Sequence, residues 1–120
     1  ERVAKEAEQV WKNLKLSQIQ CITGDFDKTL LPVTQQSFDL IYLDGNHRCE
    51  PTLAYFEMLK KNSYKKTIFI FDDIHYSKSM EEAWRQIKQQ ADVTITIDLF
   101  FIGLVWIDSS LSKENFVLRY

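Results

Sequence analysis

Aspartates recur where apolar runs of this chain stop. "ITGDF" reaches Asp25, "FDLIYLDGNH" reaches Asp44 with His47 just beyond it, and "IFIFDDIHYS" reaches the pair Asp72 and Asp73 with His75 just beyond them. Such a set can do two kinds of chemistry. As oxygen donors, Asp44, Asp72 and Asp73 suit a hard cation, Mg²⁺, Mn²⁺ or Ca²⁺, rather than zinc. Gathered carboxylates raise one another's pKa unless a cation joins them, so their convergence itself argues for a metal. His47 and His75 are candidates for an extra ligand, a general base, or a group that orients the ligands. Each acid taken singly has a structural reading too, because Asp-Gly after a strand makes a turn and an acid before a helix caps it. Three strand ends together point to a site.

The elements that must position these residues follow from hydrophobic spacing. Val3, Ala7, Val10, Trp11 and Leu14 recur at helical intervals and predict a helix over residues 2–14. The run "IQCIT" predicts a short strand over residues 19–23, stopped by Gly24, and residues 38–43 predict a strand buried on both faces. Pro51 fits a helix start, with Leu53, Phe56 and Leu59 on its buried side. "KTIFIFDD" is a further buried strand. Ser77 or Ser79 then caps a helix whose stripe is Met80, Ala83, Trp84 and Ile87. "DVTITIDL" and "FFIGLVWI" follow too closely for a helical crossover and predict an antiparallel hairpin at the end of the sheet. "NFVLRY" reads as a last strand, and residues 99–101 as hairpin core. The order is that of an α/β fold on a mostly parallel sheet, in which function gathers at the carboxyl ends of the strands.

Bulk properties narrow the classes. The 120 residues are expected to form a single domain over 1–120, and the net charge of −2 gives no electrostatic case for nucleic acid. Cys21 and Cys49 match no metal or redox spacing, so a reduced, cytoplasmic compartment is expected. No apolar run approaches a membrane span. The chain opens directly in helix without an initiator Met, as expected of a segment of a longer protein.

In order and spacing, "ITGDF", "FDLIYLDGNH", "IFIFDDIHYS", a helix containing "EEAW", and "ITIDLFFIGLVWI" resemble class I S-adenosylmethionine-dependent methyltransferases. The resemblance is to the O-methyltransferase-like branch with a D-G-x-H motif, and it covers nearly the whole chain. It implies a partial Rossmann-like sheet, strands 3, 4, 5, 7 and 6 of that fold, with flanking helices and a carboxyl-terminal antiparallel hairpin. It implies that Asp25 accepts from the adenine amine of S-adenosylmethionine with Phe26 beside the ring, and that Asp44 sits near the methionine part. In cation-dependent relatives the Asp44 position and an Asp-Asn pair hold a divalent cation such as Mg²⁺, where this chain has Asp72 and Asp73. Without a cation, His47 or His75 is the base. The reaction implied is methyl transfer to an oxygen or nitrogen of a small-molecule acceptor.

Strands 1 and 2 of the family and the glycine-rich turn are absent from these residues. Of the three glycines, Gly24, Gly45 and Gly103, none forms G-x-G. The segment alone is therefore expected to bind the cofactor negligibly, to be inactive, and either to pair strand 3 on strand 4 or to self-associate through exposed strand edges. Two alternatives remain. Asp25, Asp27 and Thr29 stand in D-x-D-x-T-L, a string resembling the haloacid-dehalogenase-type phosphatases; a non-catalytic module binding a nucleoside or a protein would keep the same core.

Overall fold

A computed structural model describes residues 2–119, and the chain divides into two compact units that meet in sequence between Val33 and Thr34. The first unit carries α1 (Arg2–Asn13) and α2 (Phe26–Val33). Polar residues occupy most of α1 and space its apolar stripe, with Arg2 and Glu6 paired one turn apart at 2.9 Å. Asp25 opens α2: its carbonyl accepts from the amides of Lys28 and Thr29 at 2.9 and 3.0 Å, and the Thr29 hydroxyl adds a third bond at 3.0 Å. Gly24 immediately before it has φ +148°, which favours glycine.

The strand expected over residues 19–23 does not form. A strand is a paired object whose amides and carbonyls are satisfied by a neighbour. These residues have no ladder partner among the described residues, and Ile19 and Ile22 are exposed. Asp25 is accordingly a helix-start residue rather than a strand-end one, and Asp27 lies in the first turn of α2.

The second unit holds β1 (Leu40–Leu43), α3 (Cys49–Lys60), β2 (Ile68–Asp72), α4 (Lys78–Gln89), β3 (Ile95–Asp98), β4 (Ile102–Trp106) and β5 (Glu114–Val117). The sheet order is β1-β2-β4-β3-β5. β1 runs parallel to β2, β4 is antiparallel to both β2 and β3, and β5 is parallel to β3. β1, β2, β3 and β5 therefore share one direction. The first four strands in this order reproduce the 4-5-7-6 part of the expected sheet, and the hairpin pairs Ile95 with Trp106 through Asp98 with Gly103. β5 is the predicted last strand, lying on the far edge.

The core lies between this sheet and α3 and α4. Alternate strand residues Phe69, Phe71 and Val105 are fully buried. Phe56 of α3 meets Phe69 and Phe71 edge-on at 4.9 and 5.2 Å. Removing a buried ring of this kind costs about 3–5 kcal/mol. The buried residues of α4 are the predicted stripe, Met80, Ala83, Trp84 and Ile87, and Ser77 is the cap, its hydroxyl accepting from the Met80 amide at 3.2 Å. On α3 the buried residues are Thr52, Tyr55, Phe56 and Leu59, with Leu53 only half-buried. The helix begins two residues before Pro51, and its buried face takes in Thr52 and Tyr55 beside the predicted Phe56 and Leu59.

Candidate functional site

Because β1, β2 and β3 point the same way, their carboxyl ends open on one rim. Asp44 follows β1, Asp72 ends β2 and Asp98 ends β3. The backbone turns sharply at each exit. Asn46 and Asp73 have φ 53° and Phe100 has φ 75°, all in the left-handed region that side chains other than glycine rarely enter. Asn and Asp tolerate that region; Phe does not readily, and its amide is held there by the Asp98 carboxylate at 2.9 Å.

His47 sits between two of these exits. Its Nε2 lies 3.4 Å from Asp44 Oδ1 and its Nδ1 3.7 Å from Asp73 Oδ2. Both distances are long for hydrogen bonds, so the carboxylates flank the imidazole without fixing its tautomer. Tyr76 tilts against the same ring at 5.9 Å between centroids. The Tyr42 phenol on β1 loses part of its hydration, bonds to the Asp72 carboxylate and feels Asp44 and Asp73; all of these push its pKa up.

His75 is held more firmly. Its Nε2 is 2.8 Å from Asp98 Oδ2, and its Nδ1 is 3.6 Å from Glu81 Oε1. Its ring stacks near Phe100 at 5.6 Å and 30°. Asp98 is only 5% exposed. Burial by itself would push its carboxyl up. The hydrogen bond to His75, the Phe100 amide, the charge of His75 and the bond from Arg119 outweigh that, and its pKa lies below the ordinary carboxylate value. Arg119 Nη1 reaches both the Asp98 carbonyl and Oδ1 at 3.0 Å. A cavity of about 110 Å³ opens beside this group, lined by Asp73, His75, Tyr76, Phe100 and Phe101.

The structure thus brings Asp44, His47 and Asp73 together, and places Asp72 and His75 on the same rim. Asp25 and Phe26 belong to the first unit, where the Asp25 carboxylate is 81% exposed with Lys28 Nζ at 3.8 Å. Among the described residues no three His, Cys, Asp or Glu side chains are grouped so as to hold a metal ion. Of the three acids expected as ligands, Asp72 turns to Tyr42 and the Asp73 amide, while Asp44 and Asp73 face His47. Residues 99–101 are not hairpin core either. The turn at Phe100 swings it and Phe101 outward, and both are exposed.

Asp98 is the residue that the strand-end argument missed. "DVTITIDL" ends in acid just as the earlier strands do, and the same rule applied to that run would have found it. The larger cavity of the first unit, about 270 Å³ beside Trp11, Lys12 and Lys15, gathers no comparable acid–base group. Cys49 is a free thiol whose pKa is pushed up by burial and then by Glu82 and Glu50, which keeps it protonated. No described helix is long and apolar enough to cross a membrane.

Comparison with known proteins agrees with the fold. The family model described as a methyltransferase domain matches residues 1–74. No curated protein and no solved structure matches the chain. The matched stretch runs through α1, α2, β1, α3 and β2, and includes the Asp44, His47, Asp72 and Asp73 exits. A partial Rossmann-like sheet with its acids at the carboxyl rim and a family match over more than half its length identify this chain as a member of the methyltransferase-domain family.

Proposed function

We propose that the protein carrying this chain transfers a methyl group from S-adenosylmethionine to an oxygen of a small-molecule acceptor. The observation that carries this reading is the carboxyl rim: Asp44, His47 and Asp73 at one place, and a carboxylate-held His75 on the same edge. The donor set suits the cofactor. Asp44 is 57% exposed, and an exposed carboxylate at a strand end has lone pairs for an ammonium group. When bound, the cofactor supplies a sulfonium-activated methyl.

The chain's own residues then have three tasks. Asp44 binds and orients the methionine end, because alignment of nucleophile and methyl is the main catalytic requirement. His75 receives the proton of the acceptor hydroxyl at the ring nitrogen not used by Asp98. Phe100, Phe101 and Tyr76 wall the cavity beside it and limit water there.

A phosphatase is disfavoured by the placement of Asp25 and Asp27 at a helix start that no strand precedes among the described residues. We also propose that the 120-residue chain alone binds the cofactor negligibly and self-associates through the outer edge of β1. The test of function is transfer of labelled methyl by the full-length protein across a panel of hydroxylated and amino acceptors. Transfer to a hydroxyl that is lost in Asp44→Ala supports the reading. Cofactor binding with no transfer to any acceptor would favour the non-catalytic nucleoside-binding alternative.

A further inference from the structure

We propose that Asp98 is a positioning residue that fixes the tautomer of His75, leaving Nδ1 as the base. This rests on the reading of His75 as proton acceptor. Three observations carry it. First, an ionised carboxylate can only accept hydrogen bonds, so a 2.8 Å contact between Asp98 Oδ2 and His75 Nε2 requires the proton on Nε2. Second, Glu81 Oε1 at 3.6 Å is beyond hydrogen-bond range of Nδ1, so the lone pair there stays available. Third, Asp98 is buried and held from two further sides, by the Phe100 amide at 2.9 Å and by Arg119 at 3.0 Å. A carboxylate so placed cannot swing away from the ring.

The two oxygens divide the work. Oδ1 takes the Phe100 amide and Arg119, which hold the turn after β3 and the segment after β5. Oδ2 faces the imidazole. In transfer, the acceptor oxygen forms its bond to the methyl carbon while the carbon–sulfur pair returns to sulfur. The acceptor's proton passes to Nδ1, and the resulting imidazolium keeps its Nε2–H on the Asp98 carboxylate. Charge and protons balance without another reactant.

This division separates positioning from a merely structural role, because Asp98→Asn affects only one oxygen. With Oδ1 retained for Phe100 and Arg119, the new amide nitrogen replaces Oδ2 and donates to His75 Nε2. That forces the proton to Nδ1, the wrong tautomer for a base that must accept there.

The chain has two histidines, so ¹⁵N ring spectra at about pH 9, where an ordinary imidazole is neutral, resolve them, with His47→Gln giving the assignment. The native chain should show His75 protonated at Nε2, and Asp98→Asn should move the proton to Nδ1 with circular dichroism unchanged. In the full-length protein the same variant should lose on the order of 10²-fold in kcat or more, with KM little changed. A native Nδ1–H tautomer, or the same tautomer in both proteins, overturns the proposal, and the native spectrum alone suffices if the variant does not fold. A tautomer switch in a protein that transfers no methyl leaves the positioning intact and removes the proposed function instead.

Discussion

Gly103 of β4 lies directly against the indole of Trp84: a Cβ built on it would stand 2.6 Å from two ring carbons. The contact is between the sheet and α4, and both residues are buried. Trp84 cannot retreat cheaply, since it is packed against Phe71 at 6.4 Å and is almost wholly enclosed. Gly103→Ala should therefore destabilise the protein by about 1–3 kcal/mol through overpacking. Chemical denaturation measures this, and pairing it with Trp84→Leu should recover part of the loss.

Asp98 should make stability depend on acid. Its folded pKa is depressed, so its contribution is fully present above the unfolded carboxylate value, about 3.9, and is lost as pH falls through the lower folded value. Native protein should exceed Asp98→Asn in stability near neutrality, and the gap should close below about pH 4. Denaturant midpoints at a series of pH values check it. A gap that widens below about pH 4 would contradict the sign.

Removing the groups proposed to touch the reactants should separate them kinetically. Asp44→Ala in the full-length protein should abolish turnover while leaving the melting temperature nearly unchanged, because the carboxylate is exposed. His75→Ala should lower kcat on the order of 10²- to 10⁴-fold. His47→Ala should cost less than either, since its carboxylate neighbours do not fix its tautomer.

Divalent cations should be without effect on the fold. Of the three acids at the exits of β1 and β2, Asp72 bonds to Tyr42 and the Asp73 amide, while Asp44 and Asp73 flank His47 from two sides. Millimolar Mg²⁺ or a chelator should leave the melting temperature of this chain and the turnover of the full-length protein where they were. A rise in either on adding Mg²⁺ would restore the metal reading.

What was legible in the sequence was whatever depends on local period and on strand ends. The stripe of α4, the Ser77 cap, the β3–β4 hairpin and the acids of the rim all follow from residues within one element. Residues 19–23 misled because an apolar, β-prone run says nothing about whether a neighbour exists to pair with it. The division of the rim acids was hidden for a related reason: proximity of carboxylates along the rim does not tell where each oxygen turns. The link from His75 to Asp98, and from Asp98 to Arg119, spans 23 and 21 residues and exists only once β3 has been laid beside its neighbours.

The left-handed turns at Asn46, Asp73 and Phe100 have a practical corollary for anyone engineering this protein. Glycine at any of them would relax the backbone, most of all at Phe100, where an aromatic residue is held in a conformation it disfavours. A screen that rewards heat tolerance alone would be drawn to such substitutions. It would arrive at hardier molecules whose rim had gone slack at the very place where reactants need to be gripped.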